Sequence, residues 1–405
     1  MDSEQGGPRE PAGDESGPAT GRGRAPERVA EIRARTRGCL LGGALGDALG
    51  APIEFMPWPM IRSLYGERGL ATLEPAYGRA GAITDDTQMT LFTAEGLIRA
   101  SVRGKSRGSG DPPAVVLHAY RRWLYTQGIP WAEAAGDPRG GLRGPDGWLV
   151  RQRFLHARRA PGNTCLGALA HGGGERAATN DSKGCGGVMR SAPVGLLAGP
   201  GTGGEPTARE GLFRLAVECA ALTHGHPSGQ LPAGVLAATL HAIVHEGQPL
   251  ARALDLATAV LRGQRHHEET LAALAAARDL AGRGAPSPEK VHTLGGGWVA
   301  EEALAIAVYA ALSCPGDLRA ALVLAVNHSG DSDSTGALCG NLLGAALGQE
   351  ALPADWLGRL EGRDVIRRLA DDLVDEVCDL RPQEDGPARE GPGSYSAWLQ
   401  RYPGW

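Results

Sequence analysis

The chain has 405 residues, enough for one large domain or two ordinary ones, and 42% of them are hydrophobic, which supplies a substantial core. A net charge of -5 gives no general attraction to phosphate backbones, so nucleic acid is disfavoured as a main partner. The seven cysteines are scattered and form no Cys-x-x-Cys pair, and no run reaches the roughly 18 apolar residues of a membrane span. We therefore expect a soluble cytoplasmic protein.

Residues 1–26 contain Gly, Pro, Glu, Asp and Arg with almost nothing to bury, so they are predicted to be a disordered tail. The chain then reaches residues 38–50, where a glycine at every fourth position gives a helix a nearly bare face. Such a face lets another helix approach closely. Asp47 lies inside this helix, and Pro52 ends it just before Glu54. Two carboxylates are therefore expected near its exit.

An acidic pair, Asp85 and Asp86, follows Thr84 at the start of the next apolar helix. Free N–H groups and the helix macrodipole favour anions at such a position, so a capping role alone could explain the pair. The alternative is that the two carboxylates bind a ligand. This interpretation gains support if a second helix that begins with acidic residues lies nearby. After this helix, residues 128–162 are rich in Gly, Pro and Arg and are predicted to form a long connection.

Residues 180–195 combine a glycine-rich turn with two flanking cations, Lys183 and Arg190. The glycines leave backbone N–H groups open to a close anion, which suits a diphosphate, although such a turn is often only a turn. His224 follows in a short polar break between helices and is either a ligand contact or a structural histidine.

Three other patterns are interpreted as structural. Gly104-Lys-Ser106 resembles the end of a phosphate-binding loop but lacks the required first glycine. His241 and His245 have the spacing of a zinc pair without the accompanying Glu, so a partly exposed helix face is expected. The acidic run at 371–376 is predicted to be a solvated helix face. No alternating strand pattern is found, and residues 381–405 are predicted to be a polar linker with an aromatic end.

The second acidic start is the Asp-Ser-Asp-Ser sequence that contains Asp331, Asp333 and Ser334, followed by Thr335 and by glycines at 336, 340, 344 and 348. A packing seam with solvated aspartates would explain the glycines but not the dense Asp/Ser/Thr run. We expect the two glycine-faced helices to pack together and to bring both acidic starts into one place. Because clustered carboxylates repel one another, and because hydroxyl and carboxylate oxygens suit hard cations, the pattern favours two Mg²⁺ or Mn²⁺ ions.

Four stretches taken together resemble the ADP-ribosylglycohydrolase family over about residues 36–380. They are the glycine-rich residues 38–50 with Glu54, the Thr-Asp-Asp-Thr sequence at 84–87, the Gly-Cys-Gly-Gly-Val-Met-Arg sequence at 184–190, and residues 330–335. The resemblance implies an all-α fold: a compact single-domain orthogonal helix bundle covering residues 27–380. It also implies a binuclear Mg²⁺ or Mn²⁺ centre.

The same resemblance assigns roles to particular positions. It implies that the metal ligands are Thr84, Asp85, Asp86, Asp331, Asp333 and Ser334. It implies substrate binding by Ser182, Gly184, Cys185, Gly186, Gly187 and His224. Glu54 and Asp86 are the implied catalytic residues. The chain departs from the family at two points, since Ser334 stands where Thr is common and Cys185 stands where some members have Asn.

The implied reaction is hydrolysis of the glycosidic bond that joins ADP-ribose to an acceptor, through an oxocarbenium-like transition state. Protein arginine is the leading acceptor, with serine, O-acetyl-ADP-ribose and nucleobases as further candidates. Two other functions stay open: a non-catalytic ADP-ribose-binding protein, and a metal-dependent phosphohydrolase that cuts the diphosphate. The expected partner is an ADP-ribosylated protein or a small ADP-ribose conjugate, and the chain is expected to be a monomer.

Overall fold

The computed structural model describes residues 26–136, 144–171, 177–197, 206–383 and 394–404. The predicted tail at 1–26 lies outside these ranges apart from Pro26, where the first helix begins. The first nine helices are α1 Pro26–Gly50, α2 Trp58–Tyr65, α3 Asp85–Arg107, α4 Pro112–Thr126, α5 Trp131–Ala134, α6 Asn163–His171, α7 Ala192–Gly195, α8 Pro206–Ala221 and α9 Pro227–Glu246. The later helices are α10 Leu250–Arg262, α11 Glu268–Ala281, α12 Pro288–His292, α13 Ala300–Ser313, α14 Leu318–Val326, α15 Ser332–Leu347, α16 Ala354–Leu357, α17 Arg363–Val377 and α18 Tyr395–Arg401.

The predicted all-α class is confirmed. Within the described ranges the strands are two short antiparallel segments, β1 Pro75–Ala76 and β2 Arg79–Ala80, which pair at a turn between α2 and α3. The part of the chain that the structure describes also contains four 3₁₀ turns: Leu149–Arg151, Arg153–Leu155, Cys185–Gly187 and Gln349–Ala351. Buried side chains from nearly all of the longer helices join in one hydrophobic core. No helix among the described residues combines the length and the apolar character that crossing a bilayer requires.

The glycine faces of α1 and α15 pack directly against each other. A methyl group on Gly42 would lie 2.5 Å from the carbonyl oxygen of Gly340, and Gly46 and Gly38 make equally close approaches to Gly336 and Gly344. Any side chain at these positions would therefore collide with the backbone of the opposite helix. This contact fixes the end of α1 beside the beginning of α15, where the acidic residues lie.

Two interpretations of helix faces are wrong. The acidic run on α17 is not solvated, because Asp372 is buried and accepts a hydrogen bond from the Tyr402 hydroxyl at 2.7 Å, while the carboxylate of Asp371 pairs with the Arg37 guanidinium at 2.6 Å. His241 is also buried, and its ring Nδ1 lies 3.2 Å from the carbonyl oxygen of Leu197. In both cases the covering partner comes from a distant part of the sequence.

Candidate metal centre

Asp47 joins the end of α1 to the beginning of α3. Both of its carboxylate oxygens accept a hydrogen bond from the N–H of Thr84 at 3.0 Å, and Oδ2 also accepts from the N–H of Thr87 at 3.1 Å and from the Thr87 hydroxyl. Burial, followed by the charge of Asp333, raises the pKa of Asp47 to about 7. The first turn of α3 is thus held by a carboxylate of α1, a role that the position of Asp47 in the sequence did not indicate.

Thr84 is the N-cap residue of α3, and its Oγ1 accepts a hydrogen bond from the N–H of Asp86 at 3.3 Å. This cap satisfies one of the free N–H groups of the first turn. Asp85 and Asp86 are the first two residues of the helix, and both lie on the wall of a cavity of about 350 Å³. The cap therefore fixes the direction in which the two carboxylates leave the helix.

The beginning of α15 lies on the same cavity. Oδ1 of Asp331 and Oδ1 of Asp333 both accept from the N–H of Ser334, at 3.2 and 3.0 Å. The side chain of Ser334 lines the cavity. The hydroxyl of Thr335 instead donates to the carbonyl oxygen of Ala325 at 2.9 Å, so Ser334 is the hydroxyl that faces the acidic groups.

The two acidic helix starts meet in space. Carboxylate oxygens of Glu54, Asp331 and Asp333 lie within 4.8 Å of one another, and Asp85 and Asp86 line the same cavity. Glu54 comes from the turn that follows α1, so the close packing of α1 on α15 places it beside the aspartates. The carboxylates that were predicted to bind metal or to act in catalysis therefore form one cluster: Glu54, Asp85, Asp86, Asp331 and Asp333.

This cluster carries an electrostatic penalty. Burial, followed by the charges of Asp333 and Asp331, raises the pKa of Glu54 to about 11. Burial and neighbouring carboxylates also raise the pKa values of Asp85, Asp86 and Asp333 well above the usual range. Oε2 of Glu54 and Oδ1 of Asp86 are buried, and no hydrogen-bond partner for them is found in the described part of the chain.

The donor set fits hard divalent cations. Buried carboxylates that raise one another's pKa values are stabilised by positive charge placed among them, and oxygen ligands of this type suit Mg²⁺ or Mn²⁺. The unpartnered oxygens of Glu54 and Asp86 supply free ligand or acceptor positions. The thiol of Cys185 lies 2.7 Å from Oδ2 of Asp331, to which it donates a hydrogen bond. Met189 and Cys165 also line the cavity, so sulfur groups border the carboxylates.

The same cavity is also lined by Gly184, Cys185, Gly186 and His224. Two residues predicted to bind substrate lie elsewhere. Gly187 packs against the backbone of α9, because a methyl group on it would lie 2.6 Å from the carbonyl oxygen of Gly229. Ser182 lies on a neighbouring cavity of about 600 Å³, which is joined to the first through Asn163 and Thr164, since both of these line the two cavities.

The two cations predicted to flank a diphosphate are engaged in other contacts. Lys183 forms ion pairs with Glu269 at 2.6 Å and with Glu301 at 3.0 Å, outside the cavity. Arg190 is 1% exposed and points into the protein, behind the glycine turn. Neither side chain lines the cavity wall, so the prediction of direct contact between these cations and a diphosphate is not supported by the geometry.

The mouth of the cavity carries an aromatic pair that was not anticipated. Phe55 and Trp298 stack with their ring centroids 5.4 Å apart and their planes 23° from parallel, yet Phe55 is 66% and Trp298 44% exposed. Phe55 also has a φ of 69°, a left-handed conformation that is rare for an aromatic residue and costs on the order of 1–3 kcal/mol. A strained, exposed ring directly after Glu54 marks this rim as a candidate binding surface.

Comparisons with known proteins give a consistent result. The family model described as ADP-ribosylglycohydrolase matches residues 28–383. The chain is 26% identical to ADP-ribosyl-[dinitrogen reductase] glycohydrolase of Rhodospirillum rubrum, covering 85% of this chain and 96% of that one. It is also 26% identical to ADP-ribosylarginine hydrolase Tri1 of Pseudomonas putida, with 87% and 80% coverage, and 24% identical to ADP-ribosylhydrolase ARH3 of Bos taurus, with 85% and 93%.

A solved structure described as an ADP-ribosylglycohydrolase-related protein complex superposes with a TM-score of 0.58 and 26% identity, covering 86% of this chain and 99% of that chain. The family match thus spans the whole helical domain, from α1 to the residues after α17. The chain belongs to the ADP-ribosylglycohydrolase family, and it is a hydrolase of the glycosidic bonds that join ADP-ribose to modified acceptors.

Proposed function

We propose that the protein removes ADP-ribose from arginine side chains of modified proteins in a reaction that depends on two Mg²⁺ or Mn²⁺ ions. The observation that carries this proposal is the cluster of five buried or half-buried carboxylates around one cavity, with pKa values raised by their mutual repulsion. Such a cluster is costly without cations, and its oxygen donors match those of divalent metal sites.

The ions would be held by the residues that open α3 and α15: Thr84, Asp85, Asp86, Asp331, Asp333 and Ser334. When bound, they supply positive charge and Lewis-acid polarisation at the reacting ribose. The remaining chemistry belongs to the chain. Glu54 lines the cavity, and its buried Oε2 has no hydrogen-bond partner in the described residues. With cations among the carboxylates its carboxyl group would be ionised, and it would then be placed to accept a proton from the attacking water. Asp86, with its free Oδ1, is the other candidate base.

Hydrolysis at the anomeric carbon requires the leaving nitrogen to leave as a neutral guanidine or to receive a proton. The proton that Glu54 takes from water is available for that transfer, after which the carboxylate is regenerated. ADP-ribose and an unmodified arginine side chain are then the products. The proposed role of His224 and the glycine turn, which line the same cavity, is to bind the nucleotide part and keep the anomeric carbon close to the carboxylates.

Arginine is favoured as the acceptor by the rim of the cavity. A guanidinium group stacks on aromatic faces, and the exposed faces of Phe55 and Trp298 lie beside the acidic cluster. A serine or acetyl acceptor would gain neither the stacking nor the attraction to the carboxylates. One relative carries a name that fits this choice, the ADP-ribosylarginine hydrolase of Pseudomonas putida, and the name of another gives a modified protein, dinitrogen reductase, as its substrate.

The test is product analysis with metal-loaded and chelator-treated protein. Substrates are an arginine-modified protein, a serine-modified peptide and O-acetyl-ADP-ribose. We expect free ADP-ribose, fastest from the arginine substrate and only with metal. AMP would indicate cleavage of the diphosphate, and binding without product would indicate a non-catalytic ADP-ribose-binding protein. Full activity in the chelated sample would refute the metal requirement.

A matched pair of variants separates acceptor recognition from chemistry. Phe55→Ala and Phe55→Leu both remove the aromatic face, and the second keeps an apolar side chain. We expect both to raise KM for the arginine substrate several-fold and to leave hydrolysis of O-acetyl-ADP-ribose unchanged, since a cation on an aromatic face contributes about 0.5–2 kcal/mol. Equal losses on both substrates would argue against the acceptor assignment.

The setting of the enzyme is also a proposal. All seven cysteines are free thiols, which fits a reducing compartment such as the cytoplasm. The modified protein substrate would approach the aromatic rim, and a monomer is sufficient for catalysis because one chain supplies every candidate ligand. Gel filtration at working concentration measures the oligomeric state.

A further inference from the structure

Arg190 is a buried cation without an acidic partner among the described residues. Its guanidinium donates to Oγ1 of Thr223 at 2.7 Å, to the carbonyl oxygen of Cys219 at 3.3 Å and to Sγ of Cys165 at 3.2 Å, and it lies 4.4 Å from the ring centroid of Tyr120. All of these partners are neutral. Burying a charge without an opposite charge beside it costs free energy, so we expect Arg190 to have a role other than packing.

Thr223 links this cation to the cavity. Its Oγ1 lies 2.7 Å from NH2 of Arg190 and 2.8 Å from Nδ1 of His224, and both Thr223 and His224 are almost fully buried. A guanidinium only donates hydrogen bonds, so Thr223 accepts from Arg190 and keeps its own hydroxyl hydrogen to donate. Two acceptors lie near this hydroxyl, Nδ1 of His224 at 2.8 Å and the Cys165 sulfur, and the imidazole nitrogen is the stronger of the two.

The direction of these bonds determines where His224 carries its proton. If Nδ1 accepts from Thr223, the neutral ring must have its hydrogen on Nε2. The positive charge of Arg190 favours the same arrangement, because it attracts the Nδ1 lone pair and repels an N–H placed there. Burial and Arg190 also lower the pKa of His224 to about 3, so the ring is neutral under working conditions.

Nε2 of His224 points towards the glycine turn. A methyl group on Gly184 would lie 3.2 Å from Nε2, and one on Gly186 would lie 3.1 Å from the neighbouring ring carbon Cε1, so only glycines let the ring come this close to the cavity wall. No hydrogen-bond partner of Nε2 occurs in the described part of the chain, and His224 lines the cavity. Its N–H is therefore directed at the space that a ligand would occupy.

We infer that Arg190 and Thr223 act as positioning residues that hold His224 as a neutral, fixed Nε2–H donor for a diphosphate oxygen of the ligand. This inference rests on the proposed function only for the identity of the ligand. The cavity lining then combines two kinds of group: carboxylates that suit cations, and a hydrogen-bond donor backed by a buried guanidinium. The cation acts on the diphosphate through Thr223 and His224 rather than by contact.

The test uses ¹⁵N-histidine-labelled full-length protein, with the His224 resonances assigned from the spectrum of His224→Gln. In the wild type we expect a protonated Nε2 and an unprotonated Nδ1 that accepts a hydrogen bond. In Thr223→Val, the Nδ1 resonance should move to the position of an unbonded nitrogen, and calorimetry with ADP-ribose on metal-loaded protein should show about tenfold weaker binding. Thr223→Ser should restore both.

Thr239→Val is the matched control, because Thr239 is also fully buried and its hydroxyl donates only within α9, to the carbonyl oxygen of Val235. It should change neither the His224 resonances nor the affinity for ADP-ribose. A proton on Nδ1 in the wild type, or unchanged resonances and affinity in Thr223→Val, would overturn the inference. Failure of the wild type to bind ADP-ribose would count against the proposed function instead, while the nitrogen resonances would still locate the proton.

Discussion

Gly50 is the last residue of α1, and its replacement tests whether helix packing positions the carboxylates. A methyl group on Gly50 would lie 2.3 Å from the carbonyl oxygen of Ser332 and 2.4 Å from the backbone nitrogen of Asp333. Real methyl contacts are essentially never closer than 3.0 Å, so Gly50→Ala must separate the two backbones by at least 0.7 Å at this point. The atoms that must move belong to backbone, which cannot rotate out of the way.

The expected loss follows from this displacement. Metal sites tolerate ligand shifts of about 0.2 Å, so moving Asp333 by three times as much should weaken Mn²⁺ binding by about 10- to 100-fold. Overpacking should also lower the free energy of unfolding by about 1–3 kcal/mol. Calorimetric titration with Mn²⁺ measures the first quantity, and thermal unfolding in the presence of a chelator measures the second.

Gly211→Ala is the control for helix propensity. Gly211 lies within α8, and a methyl group there would have no neighbour within 4 Å. This variant should be unchanged in metal affinity and more stable by about 0.5–1 kcal/mol, since alanine loses less conformational entropy than glycine in a helix. If Gly50→Ala bound Mn²⁺ and turned over substrate like the wild type, the close contact at Gly50 would not be what places Asp333.

Three further predictions concern charge. Burial and Asp331 raise the pKa of Asp333 well above 3.8, so folding favours its protonated form and stability is lost as pH rises above 3.8. Metal-free Asp333→Asn should therefore melt higher than wild type by a margin that grows as pH rises above 3.8, yet gain no stability from Mn²⁺. A margin that stays constant with pH in melting curves would contradict this. Glu54→Gln should lower kcat by about 10²- to 10⁴-fold while Mn²⁺ still raises the melting temperature, and unchanged turnover would exclude Glu54 as the base. Glu95→Ala removes the carboxylate that lies 2.8 Å from the fully buried Arg122 and leaves Asp146 at 4.0 Å as its remaining acidic partner among the described residues. It should cost about 3 kcal/mol in denaturant unfolding, with metal affinity preserved in whatever fraction folds.

The parts of the site that the sequence predicted are those encoded by local spacing. Glycines four residues apart define a bare helix face wherever the helix lies, so the packing of α1 on α15 could be expected from two stretches far apart in the chain. The side chains of acidic residues in the first turn of a helix lie at the N-terminal end of that helix. The meeting of Asp85 and Asp86 with Asp331 and Asp333 follows from these two regularities together.

The parts that the sequence did not predict depend on contacts between distant segments. Arg190 was expected at the cavity, but the 3₁₀ turn at Cys185–Gly187 directs it inwards, and the pattern of residues around it does not specify that direction. The stacking of Phe55 on Trp298 joins the turn after α1 to the loop before α13. The acidic face of α17 looked solvated because its covering residue Arg37 lies on α1, more than 300 positions away.

The division of the carboxylates between the two ends of the domain has a consequence for biosynthesis. Glu54, Asp85 and Asp86 leave the ribosome early, whereas Asp331 and Asp333 emerge roughly 245 residues later. A nascent chain therefore holds an incomplete set of acidic groups until α15 docks onto α1. Truncated products that lack α15 are therefore expected to remain inert.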